Sequence, residues 1–353
     1  MIFNKIHNFS TTIIDWYEIH KRDLPWRNTN DPYKIWISEI ILQQTRVKFA
    51  IDYYKNFIKK FPTIDSLSKA GEDDVLKLWQ GLGYYSRARN IHYTSKILKE
   101  KYSSIFPQKY DEIIKLKGIG RYTTGAILSF SFKKKYPVVD GNVFRFFSRL
   151  FYIDHFIDTS DGQNYFYTVA EKLICEKDPD LFNQAIIEFG ALVCKPKNPT
   201  CSVCIFNDKC EANKKNKVFQ LPFKKNNVKA TDKFLIFILG TKKSVFLKKK
   251  KDGIWKGLYI PPLYEAKSKK ELNNIKENKE LNIFNNNIKI LKTSSVIHHK
   301  LTHQNLSIKF CYSELDLDYS NKFVKVNFKN FENFPVPIVI EKFLKNFYNE
   351  QKK

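Results

Sequence analysis

Two carboxylic acids stand in contrasting settings. Glu39 lies in YKIWISEIILQQT, where helical spacing of three and four brings it beside Ile35, Trp36, Leu42 and Gln43. Apolar and aromatic neighbours solvate a carboxylate poorly and favour its protonated form, which suits a general acid. Asp140 lies in YPVVDGNVFRFFSRL, after an extended apolar run and before a helix. There it makes a good N-cap, and a carboxylate at a helix start tends to stay ionised. One acid that gives a proton and one that stays charged form the pair used to cleave a glycosidic bond, the second stabilising an oxocarbenium ion. Each also has a plain reading: Glu39 as a solvated helix glutamate, Asp140 as a cap alone.

Four cysteines, Cys194, Cys201, Cys204 and Cys210, are spaced C-x6-C-x2-C-x5-C within CKPKNPTCSVCIFNDKC. Such a loop can wrap one tetrahedral centre, and four thiolates suit either zinc or an iron–sulfur cluster. Spacing alone does not separate the two. In a reducing compartment the crowding speaks for a metal rather than disulfides. Cys175 and Cys311 stand alone and read as packing residues.

In LKGIGRYTTGAILSF, Gly118 and Gly120 separate two helix-like segments. Glycines permit positive φ and close approach, and the following helix presents unpaired N–H groups, so together they cradle a phosphate. A capped turn between two helices is the alternative. WQGLGYYSRARN (79–90) joins a glycine turn to Tyr84, Arg87 and Arg89. Aromatics wedge between bases and arginines hold phosphates, unless the loop is simply packed.

The totals favour a polyanionic partner. The chain has 353 residues, 61 Lys and Arg against 36 Asp and Glu, and a net charge of +25. Nucleic acid is the first candidate, although the Lys- and Asn-rich composition also resembles an A/T-biased coding pattern. All eight arginines fall before residue 150, which marks sites that want a rigid planar fork. No apolar run reaches the ~18 residues of a membrane span, and the first residues lack a signal peptide's apolar stretch. The expectation is a soluble, cytoplasmic protein.

Residues 1–212 read as mostly helical, with Ile35, Trp36, Ile40 and Ile41 at helical spacing and Pro and Gly at the breaks. Residues 213–232 are polar and read as a linker. Residues 233–353 carry short β-branched and aromatic runs, KFLIFILG, KSVFLKKK and LSIKFCYSEL, and read as a smaller α+β domain. Residues 265–290 read as a helix and a loop.

Taken together, LPWR, WISEIILQQT, GLGYYSRARNIH, GRYTTGAI, DGNVFR and FNQAIIEFGALVC resemble the blocks of helix-hairpin-helix DNA glycosylases, and within them the MutY-type adenine DNA glycosylases. The hairpin-to-aspartate distance, Gly120 to Asp140, is similar as well. The resemblance covers residues 20–212. It implies a multidomain chain: an all-α region with a six-helix barrel module and an iron–sulfur module, then a Nudix-like α+β domain. It favours a [4Fe–4S] cluster on Cys194, Cys201, Cys204 and Cys210 over zinc. It implies a monomer acting on double-stranded DNA, where adenine opposite 8-oxoguanine or guanine is flipped out.

By the same resemblance Glu39 protonates adenine N7 and later activates water, and Asp140 stabilises the sugar cation or its adduct. Tyr122 and Asn142 support them. Arg22, Trp26, Arg27, Leu42 and Ile187 match pocket-lining positions, and Gln44 and Tyr84 match residues that wedge into the stack. The endonuclease III type resembles the same blocks but carries a lysine where this chain has Tyr122, and a phenol forms no imine. Little or no strand cleavage is therefore expected. A zinc-stabilised DNA-binding protein without catalysis is the reading from a different class.

DGIWKGLYIPP and VIHHKLTHQNLSIKF resemble, more weakly, the Nudix-like domain that reads 8-oxoguanine. No Nudix box lies between residues 260 and 290. The usual Phe-Ser-His turn here reads Leu301, Thr302, His303, which implies softer discrimination. Lys117 stands where the family often has proline.

Overall fold

A computed structural model describes residues 8–225, 229–240, 244–275, 280–283, 286–313 and 323–350. Helices occupy the first part of the chain: α1 (Phe9–His20), α2 (Pro32–Leu42), α3 (Val47–Lys60), α4 (Ile64–Ser68), α5 (Glu72–Leu78) and α6 (Ser86–Tyr102). They continue as α7 (Tyr110–Ile113), α8 (Arg121–Phe132), α9 (Gly141–Phe151), α10 (Ser160–Leu173), α11 (Pro179–Leu192) and α12 (Glu211–Lys214). Strands follow: β1 (Thr231–Leu239), β2 (Ser244–Lys249), β3 (Tyr259–Ile260) and β4 (Leu263–Ala266), then α13 (Lys269–Asn274). The last elements are β5 (Glu280–Ile283), β6 (Asn286–Thr293), β7 (Ile297–Lys300), β8 (Gln304–Ser313), β9 (Val324–Asn327) and α14 (Ile338–Glu350). The helical half and the α+β half follow the periodicity of the sequence. Within 265–290 the expected helix is α13, but the expected loop gives way to the β5–β6 pair. Among the described residues no helix is long and apolar enough to cross a membrane.

The chain forms two compact units, Met1–Lys69 with Tyr93–Asn227, and Ala70–His92 with Val228–Lys353. In the first, α2 is buried from Ile35 to Ile41 without a break, so Glu39 travels into the interior with its apolar neighbours. Asp31 caps it through the Tyr33 N–H, and Pro32 occupies its first position, where a missing N–H costs nothing. A phenylalanine-rich core joins Phe9 of α1, Phe146, Phe147 and Phe151 of α9, and Phe182 and Phe189 of α11. Phe206, from the cysteine loop, enters that core, 5.1 Å from the Phe9 ring centre and 5.5 Å from Phe189. Two glycines let elements close up around the site. A Cβ on Gly190 would stand 2.7 Å from the Asn142 carbonyl oxygen, so α11 lies against the first turn of α9 only because that atom is missing. Gly125 does the same for α8, where a Cβ would meet Pro137 O at 2.7 Å. Residues read as a linker are packed as far as 225: Val218 and Leu221 are buried with Ala212, and Ile157 N–H donates to Phe223 O at 3.0 Å.

In the second unit the main sheet runs β4-β1-β8-β6-β5, with β7 paired to β8. β1 and β8 are parallel, from Thr231 opposite Gln304 to Leu239 opposite Tyr312, and the other pairs of this sheet are antiparallel. A smaller sheet runs β3-β2-β9. α14 covers one face through Phe343, whose ring stacks 3.8 Å from Phe310. The segment 70–92 belongs to this unit although it precedes the strands by well over a hundred residues.

Candidate active site

An open cavity of about 740 Å³ in the first unit is lined by Glu39, Tyr122, Asp140 and Asn142 together. That is within the roughly 300–1,000 Å³ range of ligand pockets. Arg22, Trp26, Arg27, Leu42, Gln44 and Ile187 line the same cavity. Residues from the start, middle and end of the helical half thus meet at one place.

Glu39 keeps only 6% of its surface exposed. Burial drives its pKa up to about 7; the Tyr122 hydroxyl, donating to it, and the Arg27 charge pull it down, while the Asp140 charge pushes it up. Burial wins because a carboxylate in apolar surroundings loses more hydration than one hydroxyl returns. Tyr122 itself is held well above the ordinary phenol value, first by burial and then by the two acids, so it stays a donor.

Asp140 is the N-cap of α9, as its setting implies. Its Oδ1 accepts from the N–H groups of Asn142 at 2.8 Å and Val143 at 2.9 Å, and its Oδ2 from Asn142 Nδ2 at 2.6 Å. The helix start does not by itself keep this carboxyl in the ordinary range. Burial raises its pKa, and the bonds from Val143 and Asn142 offset only part of the rise. The contrast between the two acids lies in their bonds rather than in opposite shifts: three donors converge on Asp140, whereas Glu39 accepts the Tyr122 hydroxyl.

The arginines show why a planar fork is used here. Glu188, with no exposed surface, accepts Arg22 through Nε at 2.8 Å and Nη2 at 2.5 Å, and Arg27 through Nη1 at 2.9 Å and Nη2 at 2.8 Å. Burial would raise Glu188, but the hydrogen bonds from Arg22 and Arg27 overcome it and hold the acid at about 2. Arg145 donates to Asn142 Oδ1 at 2.9 Å, Gly190 O at 2.6 Å and Cys194 O at 2.7 Å. Neither Glu188 nor the work of Arg145 is evident from motif spacing; the confinement of arginine to residues before 150 is the signal that points to them.

The four cysteines line one cavity with Phe146, Leu150, Phe189 and Phe206. Among the described residues no three His, Cys, Asp or Glu side chains close on a single-ion position. The N–H groups of Phe206, Ala212 and Asn213 point at sulfurs, and Arg149 Nη1 lies 3.5 Å from Cys194 Sγ. Burial pushes the Cys204 thiol up to about 12, so a thiolate there needs a cationic partner. Four sulfurs around an apolar-lined hollow with N–H donors behind them fit a cluster bound by thiolates.

At the hairpin, Gly118 takes φ 84° while Gly120 is extended and caps α8. Ile119 between them is buried, both glycines are exposed, and Thr94 Oγ1 pins the turn through Lys117 O at 2.8 Å. A Cβ on Gly120 would meet nothing, so the space before the helix start is open.

The other expected residues lie in the second unit. Tyr84, Arg89, Leu301, Thr302 and His303 line one cavity there. Leu301 to His303 form the tip of the β7–β8 hairpin, closed by Leu301 N–H to Gln304 O at 2.8 Å. Arg87 and Arg89 both hold backbone carbonyls. Arg87 is buried, donating to Gly83 O at 3.1 Å and lying over the Trp79 and Tyr84 rings, and Arg89 Nη1 donates to Lys256 O at 2.6 Å. Arg87 is buried by these contacts, whereas Arg89 stays half-exposed where it lines the cavity.

Residues 37–167 match the family of HhH-GPD superfamily base excision DNA repair proteins. The adenine DNA glycosylase of Buchnera aphidicola subsp. Baizongia pistaciae is 40% identical over 95% of this chain and 95% of its own length. That of Buchnera aphidicola subsp. Schizaphis graminum is 39% identical over 93% and 91%. A thermostable thymine-DNA glycosylase of known structure superposes with a TM-score of 0.54 at 27% identity, covering 59% of this chain and 95% of its own. With that helical fold, a buried acid pair in one cavity and relatives matched nearly end to end, the chain belongs to the adenine DNA glycosylase family of base excision repair enzymes.

Proposed function

We propose that this enzyme hydrolyses the N-glycosidic bond of adenine paired with 8-oxoguanine or guanine in duplex DNA, leaving the strand intact. The observation that carries this reading is the hydrogen-bonded Glu39–Tyr122 pair in one cavity with Asp140. A carboxyl with a pKa near 7 is matched to giving a proton to a base nitrogen and taking one from water at neutral pH. Asp140, held by three donors, faces the cation that develops on the sugar as the bond breaks. Arg22, Trp26, Arg27, Leu42 and Ile187 receive the flipped base, with Gln44, at φ 57°, at the edge of the stack.

Tyr122 stands against imine chemistry, because a phenol has no amine to condense with the sugar. Lys48 also lines the cavity but is exposed at the start of α3. Cys194, Cys201, Cys204 and Cys210 would hold a [4Fe–4S] cluster, which supplies a rigid knot for the loop. The hairpin glycines and the first N–H groups of α8 would receive a backbone phosphate. The Nudix-like reading of the second unit places Tyr84, Thr302 and His303 at the base opposite the adenine.

The test is excision from a duplex with adenine opposite 8-oxoguanine, with and without later alkali. Base loss with strand breaks only after alkali is the expected result. A borohydride-stable enzyme–DNA adduct formed at wild-type efficiency overturns the strand-sparing reading. Purified protein should be brown and hold about four iron and four sulfide per chain; zinc in their place overturns the cluster.

A further inference from the structure

The loop that carries Tyr84 is suspended between two clamps, both made to the strand-rich part of its own unit. At the start of α5, Asp73 Oδ1 accepts from Lys249 Nζ at 2.6 Å and Oδ2 accepts from Tyr259 Oη at 3.0 Å. Glu72 stands 3.3 Å from the same ammonium. Just past the end of α5, Gln80 Nε2 donates to Val336 O at 2.7 Å while its Oε1 accepts from Lys77 Nζ at 2.7 Å. Leu76 lies against Gly257, which takes φ 84° and whose added Cβ would be 3.2 Å from Leu76 Cδ1. On the far side of the loop, Arg89 reaches Lys256 O at 2.6 Å.

Between these holds run Gly81, Gly83 and Tyr84, all at positive φ (100°, 72° and 47°). Tyr84 is not glycine, so that backbone state costs energy which the surroundings must supply. Arg87 braces the loop from inside, and the Tyr84 hydroxyl pairs with Thr302 Oγ1. Tyr84 is 42% exposed and lines a cavity although its hydroxyl is held.

We propose that Asp73 and Gln80 are positioning residues for discrimination of the base opposite the adenine. They hold the Tyr84 loop against the Thr302 turn, so that the ring and the hairpin tip meet that base as one rigid surface. Acids at the start of α5 also suit its dipole, but dipole matching requires neither Lys249 nor Tyr259 as partners. This inference rests on the reading of Tyr84, Thr302 and His303 given above.

The test compares kcat/KM for adenine opposite 8-oxoguanine with that for adenine opposite guanine. The proteins are the wild type, Asp73→Ala, Lys249→Ala, Lys249→Arg, Tyr84→Ala, His303→Ala and the Asp73→Ala/Tyr84→Ala double variant. Asp73→Ala and Lys249→Ala should each lower the ratio by roughly 3- to 10-fold, the range carried by such couplings. Lys249→Arg, which keeps the ion pair, should preserve it. The double variant should do no worse than Tyr84→Ala alone, since both act through one ring. A parallel fall on both substrates marks a merely structural role and overturns the proposal. So does a ratio that falls in Tyr84→Ala but not in Asp73→Ala. If Tyr84→Ala and His303→Ala both leave the ratio unchanged, the opposite-base reading itself fails and the inference with it.

Discussion

Asn142 Nδ2 donates to Asp140 Oδ2 at 2.6 Å, while Asn142 Oδ1 accepts from Arg145 Nη2 at 2.9 Å. Arg145 also grips the Cys194 carbonyl at 2.7 Å. The orientation of the Asp140 carboxylate is therefore tied, through two side chains, to the first residue of the cysteine loop. Arg145→Gln removes the fork but keeps Glu39, Tyr122, Asp140 and Asn142, which share its cavity. Excision should slow by about 10- to 100-fold, the usual cost of losing an outer-shell partner, with KM little changed. Single-turnover rates beside DNA affinity would check it; an equal loss in both would contradict a positioning role.

Glu39 sets a pH limit. A group whose pKa is raised to about 7 is protonated below that value and loses its proton as pH rises through it. Activity that needs the acid should fall on the alkaline side of pH 7. Tyr122→Phe removes the donor that lowers the Glu39 pKa, so the alkaline limb should move to higher pH while the maximal rate drops. Stability carries the same sign. The raised pKa favours the fold at low pH, and that advantage disappears above about 7, where the charged form must stay buried. Glu39→Gln should then be the more stable protein at pH 8 by a few kcal/mol, with the difference closing toward pH 5, as thermal unfolding at the two pH values would show.

Glu188 makes the opposite contribution. Its pKa is depressed to about 2 from 4.5, so its support is complete above the ordinary glutamate range and is lost as pH falls from about 4.5 toward 2. Glu188→Gln leaves two guanidinium groups sharing a neutral amide. The cost should be about 3–5 kcal/mol, as for breaking other buried pairs. Denaturant unfolding at pH 7 measures it, and the wild type should lose most of its margin over the variant by pH 3.

Gly190→Ala places a methyl group 2.7 Å from Asn142 O and 2.8 Å from Asn142 Cβ. Backbone atoms cannot swing aside, so α11 and the first turn of α9 must part. A loss of about 1–3 kcal/mol is expected, together with slower excision because Asn142 holds Asp140. A stable variant at full rate would show that the helices accommodate the group elsewhere.

Much of the chemistry was legible residue by residue. Helical spacing put apolar side chains around Glu39, the extended run before GNVFRFF made Asp140 a cap, and cysteine spacing marked one loop. These are local properties: period, capping and ligand spacing depend on neighbours within a few residues. The carbonyl partners of Arg87 and Arg89 are not legible for the same reason. In sequence they are basic residues beside tyrosines, and only the folded loop shows that backbone carbonyls claim them.

Tertiary structure decided everything that joins distant segments. Glu39, Tyr122 and Asp140 share a cavity where Gly190 lets α11 reach the first turn of α9 and Gly125 lets α8 reach the extended segment before Asp140. Glu188 gathers Arg22 and Arg27 across more than 160 residues, through a burial that no local pattern announces. The segment 70–92 belongs with residues far along the chain, where Asp73 meets Lys249 of β2 and Gln80 meets the Val336 carbonyl. Residue types state which chemistry is possible, but burial and hydrogen bonding between remote segments set which acid keeps its proton and which aromatic is held still.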